Sequence, residues 1–277
     1  MEVDVVGVDV GGTTTRAVAF DGDLVTVGTR TAPTPRGAAA VADTVAALVA
    51  AVAGVGAALV AVGVPGRVVP EAGTVAAAVN LGLAGPEPIA AMIAERTGAR
   101  VHVENDVNAA ALGTFTHLGL DAASSLAYVN VGTGIAAGFV LHGRLLRGST
   151  GAAGEIGHVP MQPGGPSCAC GQRGCAEAIG SGRAAGSDPA RAADVADAVA
   201  WTVQLCVMAL DVDVVAVGGG MSERSDFLDD LTAVLARREA AAPMLAATQL
   251  SRRVRLAPAG VPVGSLGAVL AARSSWT

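Results

Sequence analysis

The stretch from residue 151 to residue 177 reads GAAGEIGHVPMQPGGPSCACGQRGCAE and holds three of the chain's four cysteines and one of its four histidines. The order is His158, Cys168, Cys170, Cys175, an H-x9-C-x-C-x4-C spacing. Three thiolates and an imidazole match a tetrahedral zinc site. Glycines and prolines fill the gaps, as a chain wrapping an ion requires. Three clustered cysteines cannot all pair with one another, so a disulfide knuckle would leave one over. A closed Cys3His set has no open position, which makes the expected zinc structural rather than catalytic.

The rest of the chain must carry this knuckle. Its 277 residues allow one large domain or two modest ones. The composition is 52% hydrophobic but only 3% aromatic, so the core is built from Ala, Val and Leu. Every basic residue is Arg, which removes Lys as a phosphate ligand. The net charge of -6 and the lack of a basic cluster argue against a nucleic-acid surface. Cys206 stands alone in an apolar run, which fits a reducing cytoplasm better than a disulfide scaffold. Met1 is followed closely by two acids, unlike the basic start of a signal peptide. Residues 45–64 carry no charge and are long enough to span a bilayer. Gly54 and Gly56 break them, so they read as an Ala-rich helix, a turn and a buried strand; no membrane partner is expected.

Residues 3–10 form a β-branched run, the mark of a buried strand. Strands are expected over 15–20 and 24–30, a helix over 39–53, and a strand over 58–64 ending at Pro65-Gly66. Residues 70–80 read as loop, 88–97 as helix and 100–104 as a short strand, with a helix over 107–118 capped by Asp106. The second half repeats the pattern in kind. Strands at 125–131 and 135–141 surround Gly132-Thr133-Gly134, and a turn at His142-Gly143 leads to a further strand. After the knuckle come a helix over 192–210, a strand over 212–217 ending in Gly218-Gly219-Gly220, a helix over 227–239, a strand over 254–257 and a closing helix over 266–273. Adjacent strands followed by alternating helices and strands in each half predict two α/β lobes with a cleft between them, residues 1–115 and 116–277, the last helix packing back on the first lobe.

Ligands in such sheets sit at the carboxyl ends of strands, and the polar and glycine-rich turns fall there. In Asp9-Val10-Gly11-Gly12-Thr13-Thr14, the glycines let backbone approach a phosphate and the threonines donate to it, while Asp9 could hold water around Mg2+. Gly132, Thr133 and Gly134 repeat the device, and Gly218, Gly219 and Gly220 would let a nucleotide pack close; each is equally readable as a plain tight turn. Asp106 is either a helix cap or a general base that takes a proton from a sugar hydroxyl. Glu155, His158 and Glu177 either support the metal ligands or bind hydroxyl groups.

Together these residues make the chain resemble the ROK family of sugar kinases and repressors, related in fold to hexokinase and actin. The resemblance is carried by DVGGTTTRAVAF at 9–20, VPG at 64–66, NLG at 80–82, ENDVNAAALG at 104–113, VGTGIAAGFVLHGRLLRGSTGAAGEIGHV at 131–159, CACGQRGCAE at 168–177 and VGGGMS at 217–222. It implies a two-lobed actin-like (ribonuclease H-like) α/β fold with a structural zinc knuckle. It also implies ATP- and Mg2+-dependent phosphorylation of a hexose by a cytoplasmic homodimer, typically glucose at the 6-hydroxyl. Asp106 falls on the family's catalytic base. Gly66, Asn80, Asn105, Asp106, Glu155, His158 and Glu177 fall at sugar-binding positions. Asp9, Gly11 to Thr14, Gly132 to Gly134 and Gly218 to Gly220 fall at nucleotide-binding ones. The chain departs from the family at Thr14, often Lys, at Leu83, often aromatic, and in a shorter segment between Glu177 and Gly218, of which residues 181–193 look like the remnant. The alternatives are a kinase for an amino or N-acetylamino sugar, polyphosphate as donor, and a sugar-binding sensor without catalysis. Family repressors carry a helix-turn-helix module, whereas this chain opens on a strand.

Overall fold

The computed structural model describes residues 5–53, 57–186, 188 and 191–275. The expected strand residues 3 and 4, Gly54 and Gly56, and part of 181–193 lie outside them. In chain order the elements are β1 (Val5–Val10), β2 (Thr14–Phe20), β3 (Thr26–Pro33), α1 (Ala38–Ala53), β4 (Leu59–Val64), β5 (Arg67–Val69), β6 (Thr74–Ala76), α2 (Ile89–Thr97), β7 (Arg100–Asn105) and α3 (Asp106–His117). There follow β8 (Leu126–Val131), β9 (Ile135–Leu141), β10 (Arg144–Leu146), α4 (Ala176–Gly180), α5 (Gly182–Ala185), α6 (Ala192–Leu210), β11 (Val214–Gly218), α7 (Phe227–Ala241), α8 (Pro243–Thr248), α9 (Leu250–Arg253), β12 (Val254–Leu256) and α10 (Val263–Ser275).

The chain divides into two compact units: Met1–Leu118 with Arg147–Ala152 and Gly260–Thr277, and Gly119–Leu146 with Ala153–Ala259. Each holds a five-stranded sheet, ordered β3-β2-β1-β4-β7 in the first and β10-β9-β8-β11-β12 in the second. The pairing directions match as well: the first two ladders are antiparallel and the next two parallel. Parallel strands are buried on both faces and therefore read as unbroken apolar runs. All six residues of β4 and all five of β11 are buried accordingly.

Three local expectations change. β3 starts at Thr26 because Leu24 takes a left-handed φ of 62° in the turn before it. Part of the expected loop over 70–80 is the second arm of a β5–β6 hairpin. The uncharged run over 45–64 is divided between α1 and β4, as expected. The helix after β7 is capped by Asn105 rather than Asp106. Among the described residues one helix, Ala192–Leu210, is long and apolar enough to cross a membrane, and 50% of that apolar window is buried inside the protein.

Inside the first unit, α10 lies against β1 and α3 at backbone distance. A Cβ on Gly7 would strike the Ser265 carbonyl, one on Gly113 the Val263 carbonyl, and one on Gly267 the Ala109 carbonyl. Only a side chain of hydrogen lets these backbones meet, and close packing leaves no slack for more. Gly267→Ala is expected to lower stability by about 1–3 kcal/mol through overpacking. At Gly85 a new Cβ meets nothing within 4 Å, so Gly85→Ala is expected to be close to neutral. Thermal unfolding of both variants checks this; equal melting temperatures would contradict the account of α10.

Candidate active site

In the first unit β1, β4 and β7 run parallel, so their carboxyl ends share one edge of the sheet. That edge carries Asp9 and the Gly11–Thr13 turn after β1, Gly66 after β4, and Asn105-Asp106 at the junction of β7 with α3. The first turn is closed by the Gly11 N–H donating to the Thr14 carbonyl at 3.0 Å, and Thr13 and Thr14 are exposed. Asn80 approaches this turn: a Cβ on Gly12 would lie 3.5 Å from its Nδ2. Burial pushes the Asp9 carboxyl above its usual range, against the pull of Arg16, which faces it across the β1–β2 ladder. Leu83 is buried in the core of this unit.

The β7–α3 corner is fixed by Asn105. It pairs with Val64 at the end of β7 and keeps an extended backbone (φ -64°, ψ 139°), the conformation of a helix cap. Its Oδ1 accepts from the Val107 and Asn108 N–H groups, both at 3.0 Å. Its Nδ2 donates to the Gly66 carbonyl at 3.1 Å. A primary amide has two acceptor sites and two donors. Among the described residues Asn105 therefore keeps one N–H for a ligand. Asp106 occupies the first helical position, where the helix dipole favours a carboxylate, and its Oδ1 accepts from the Val107 N–H at 3.0 Å.

In the second unit β8 and β11 are parallel, so Gly132-Thr133-Gly134 and Gly218-Gly219-Gly220 share an edge. Asn130 lies between them: a Cβ on Gly219 would come 2.7 Å from its Oδ1. The first turn is held from behind by Gly182 and Arg183, whose N–H groups donate to the Gly132 and Thr133 carbonyls at 2.8 and 3.3 Å. Glu177 accepts from the Ile135 N–H at 3.1 Å, just past that turn, and a Cβ on Gly134 would strike its carboxylate. The same strand carries the knuckle's entry. The Ala137 N–H donates to the Gly154 carbonyl at 2.8 Å, and Gly157 presses on the Ile135 carbonyl.

The four residues of the H-x9-C-x-C-x4-C pattern converge. One ligand atom from each of His158, Cys168, Cys170 and Cys175 lies within 4.8 Å of all the others. His158 Nδ1 is 3.5 Å from Cys168 Sγ, and Cys170 Sγ is 3.7 Å from Cys175 Sγ. Ligands of a tetrahedral zinc ion stand roughly 3.3–3.8 Å apart, so the donor set suits one and these two pairs stand at its spacing. The Gln172 N–H holds the Cys170 thiol down at about 7, while burial pushes Cys175 up to about 12; a divalent cation among them would drive both to thiolate. His158 turns Nε2 toward Glu155, 3.9 Å away.

Sequence reasoning gave no role to Glu104, a buried acid beside Asn105, or to Asn130. An acid within an expected strand, here RVHVEN, was the available signal for the first, since acids are almost never buried without a partner.

These features meet in one lineage. Residues 5–192 match the ROK family model, and the chain belongs to the ROK family. It is 38% identical over 180 residues to the glucokinase of Streptomyces coelicolor, a match that covers 65% of this chain and 56% of that one; the chain thus spans little more than half of that relative's length. The glucokinase of Thermotoga maritima is 32% identical over 269 residues, covering 82% of this chain and 85% of its own. The N-acetylmannosamine kinase of Vibrio cholerae is 30% identical over 197 residues, covering 62% and 68%. Among solved structures, the ROK family glucokinase of Streptomyces griseus in complex with glucose and AMPPNP superposes with a TM-score of 0.81 at 28% identity, over 98% of this chain and 99% of that one. The ROK hexokinase of Thermus thermophilus gives 0.77 at 32% identity, with the same coverage.

Replacing the Asn105 amide tests the corner. Asn105→Ala removes a helix cap and is expected to lower stability by about 0.5–2 kcal/mol. Asn105→Asp keeps the cap and loses the bond to Gly66, so it is expected to fall between. Chemical denaturation orders the three proteins; an alanine variant as stable as the parent would contradict the assignment.

Proposed function

We propose that the chain transfers the terminal phosphoryl group of ATP to a hydroxyl of a hexose, glucose at its 6-hydroxyl being the first acceptor to test. Asp106 acts as general base, taking the hydroxyl proton as the phosphoryl group moves to the oxygen. The observation that carries this reading is the division of labour at the β7–α3 corner. Asn105 caps the helix, so protonation of Asp106 does not remove the cap. Asp106 meanwhile sits at the sheet edge where ligands of such folds bind.

The remaining Asn105 N–H, together with Gly66, Asn80, Glu155, His158 and Glu177, is proposed to bind the sugar. The Gly11–Thr14, Gly132–Gly134 and Gly218–Gly220 turns are proposed to hold the nucleotide through backbone N–H groups and exposed threonine hydroxyls. Asp9 offers the hard oxygen ligand that suits the water shell of Mg2+, the ion that neutralises charge on the transferred group. Zinc at His158, Cys168, Cys170 and Cys175 is structural and fixes the direction of the His158 ring. The kinship with an N-acetylmannosamine kinase makes amino and N-acetylamino hexoses the second class of acceptor. A homodimer in the cytoplasm goes with the same reading.

A coupled ADP-release assay over glucose, mannose, glucosamine, N-acetylmannosamine, allose and fructose tests the reading, with turnover on at least one expected. Sugar binding without turnover or ATP binding would favour the sensor instead. Asp106→Ala is expected to lower turnover by on the order of 10²–10⁴ while leaving sugar binding in place. Cys170→Ser is expected to lower both zinc content, read by elemental analysis, and hexose affinity, read by calorimetry. Zinc loss with unchanged affinity would separate the cluster from acceptor binding.

A further inference from the structure

Glu104 ends the buried part of β7, immediately before Asn105, and only 1% of its side chain is exposed. Its Oε1 accepts from the Asn105 N–H at 3.0 Å and from Asn108 Nδ2 at 3.2 Å. Its Oε2 accepts from Arg147 Nε at 2.8 Å and lies 2.7 Å from Arg147 Nη2. Arg147 opens the short segment Arg147–Ala152, which belongs to the first unit although the chain on both sides of it belongs to the second. Gly151, in the same segment, packs against the Val68 carbonyl. His102 lies two residues before Glu104 in β7, and burial lowers its pKa, with Glu104 raising it and Arg147 lowering it.

An ionised carboxylate this far from water requires its charge to be matched. The Asn105 N–H and the Asn108 amide are neutral donors, so among its hydrogen-bond partners in the described residues Arg147 supplies the opposite charge. Both Asn105 and Asn108 are also part of the cap that sets the first turn of α3. We propose that Glu104 and Arg147 form a positioning pair for the proposed base: Arg147 grips the Glu104 carboxylate and matches its charge, and Glu104 fixes the Asn105 peptide and the Asn108 amide, hence the direction in which Asp106 leaves the helix. The inference rests on Asp106 being the base; neither member of the pair touches substrate.

Without Arg147, the Glu104 carboxylate is left buried with no opposite charge beside it and no grip on its Oε2. The Asn105 and Asn108 donors then face a carboxylate that is no longer held in place, and the corner loosens. A misplacement of about 1 Å lowers a rate by up to about 10²-fold.

The test uses Arg147→Met, Glu104→Gln and the double variant in the full chain, with two readouts. The first is the kcat–KM split on the best acceptor. Arg147→Met is expected to lower kcat by about 10–100-fold and to leave both KM values within about two-fold. The double variant, with no charge left alone, is expected to recover most of the lost kcat. The second readout is amide hydrogen exchange at Asn105, Val107 and Asn108 without ligands, expected to be faster in Arg147→Met and slow again in the double variant. Unchanged exchange overturns the pairing. Faster exchange with parent-like kcat overturns its role in catalysis. If the parent turns over no sugar, the kinase reading fails instead, and exchange alone decides the pair. If Arg147→Met does not fold, Arg147→Lys decides: it keeps the charge and loses the two-N–H grip. It is expected to fold and to lose kcat about 10-fold at unchanged KM, and a parent-like kcat overturns the proposal.

Discussion

The side-chain amide of Asn105 joins three pieces of backbone. It ends β7, supplies two of the acceptor bonds that the first turn of α3 needs, and reaches the Gly66 carbonyl at the end of the neighbouring strand β4. A helix leaves its first N–H groups without internal partners, so some side chain must take them up. Here the residue that does so is not the acid beside it. Asp106 is thereby placed at a helix N-terminus without being the group on which the helix depends. The corner is held from the inside by Glu104 and from the helix's flank by α10, whose glycines bring it into backbone contact with α3.

The second unit solves a similar problem with one strand. β9 follows the Gly132–Gly134 turn, and Ile135 at its start is approached from two sides: its N–H bonds Glu177, and its carbonyl is pressed by Gly157. The knuckle's entry, the arm at Glu177 and a glycine turn thus share one short piece of backbone. A loop-rich segment with so little apolar surface cannot hold this shape by burial, so a metal ion that contributes folding energy directly fits the arrangement.

Much of this was legible in the sequence. The helix over 192–210 and the strand over 135–141 have the expected ends, because long amphipathic and β-branched runs announce themselves. The spacing of one histidine and three cysteines identified a set of side chains that converge. What local pattern could not convey is where a strand stops relative to a helix cap. Asn105 and Asp106 are equally good capping residues, and the choice between them was made by the β4–β7 ladder, which extends as far as Asn105. The Glu104–Arg147 pair is separated by 43 residues and depends on a segment whose neighbours in the chain belong to the other unit. Nothing in a sequence window records such a partner. The same holds for the glycines of α10, whose need for a bare backbone arises from elements far away in the chain.

The central claim is that Asp106 receives the proton of the attacking hydroxyl. It is tested most directly by a crystal structure of the protein with a turned-over hexose and a non-hydrolysable ATP analogue. The account predicts one sugar hydroxyl within hydrogen-bond reach of the Asp106 carboxylate, about 2.6–3.2 Å, and facing the terminal phosphate. A productive complex in which no hydroxyl approaches Asp106, or in which another carboxylate takes that place, would contradict it.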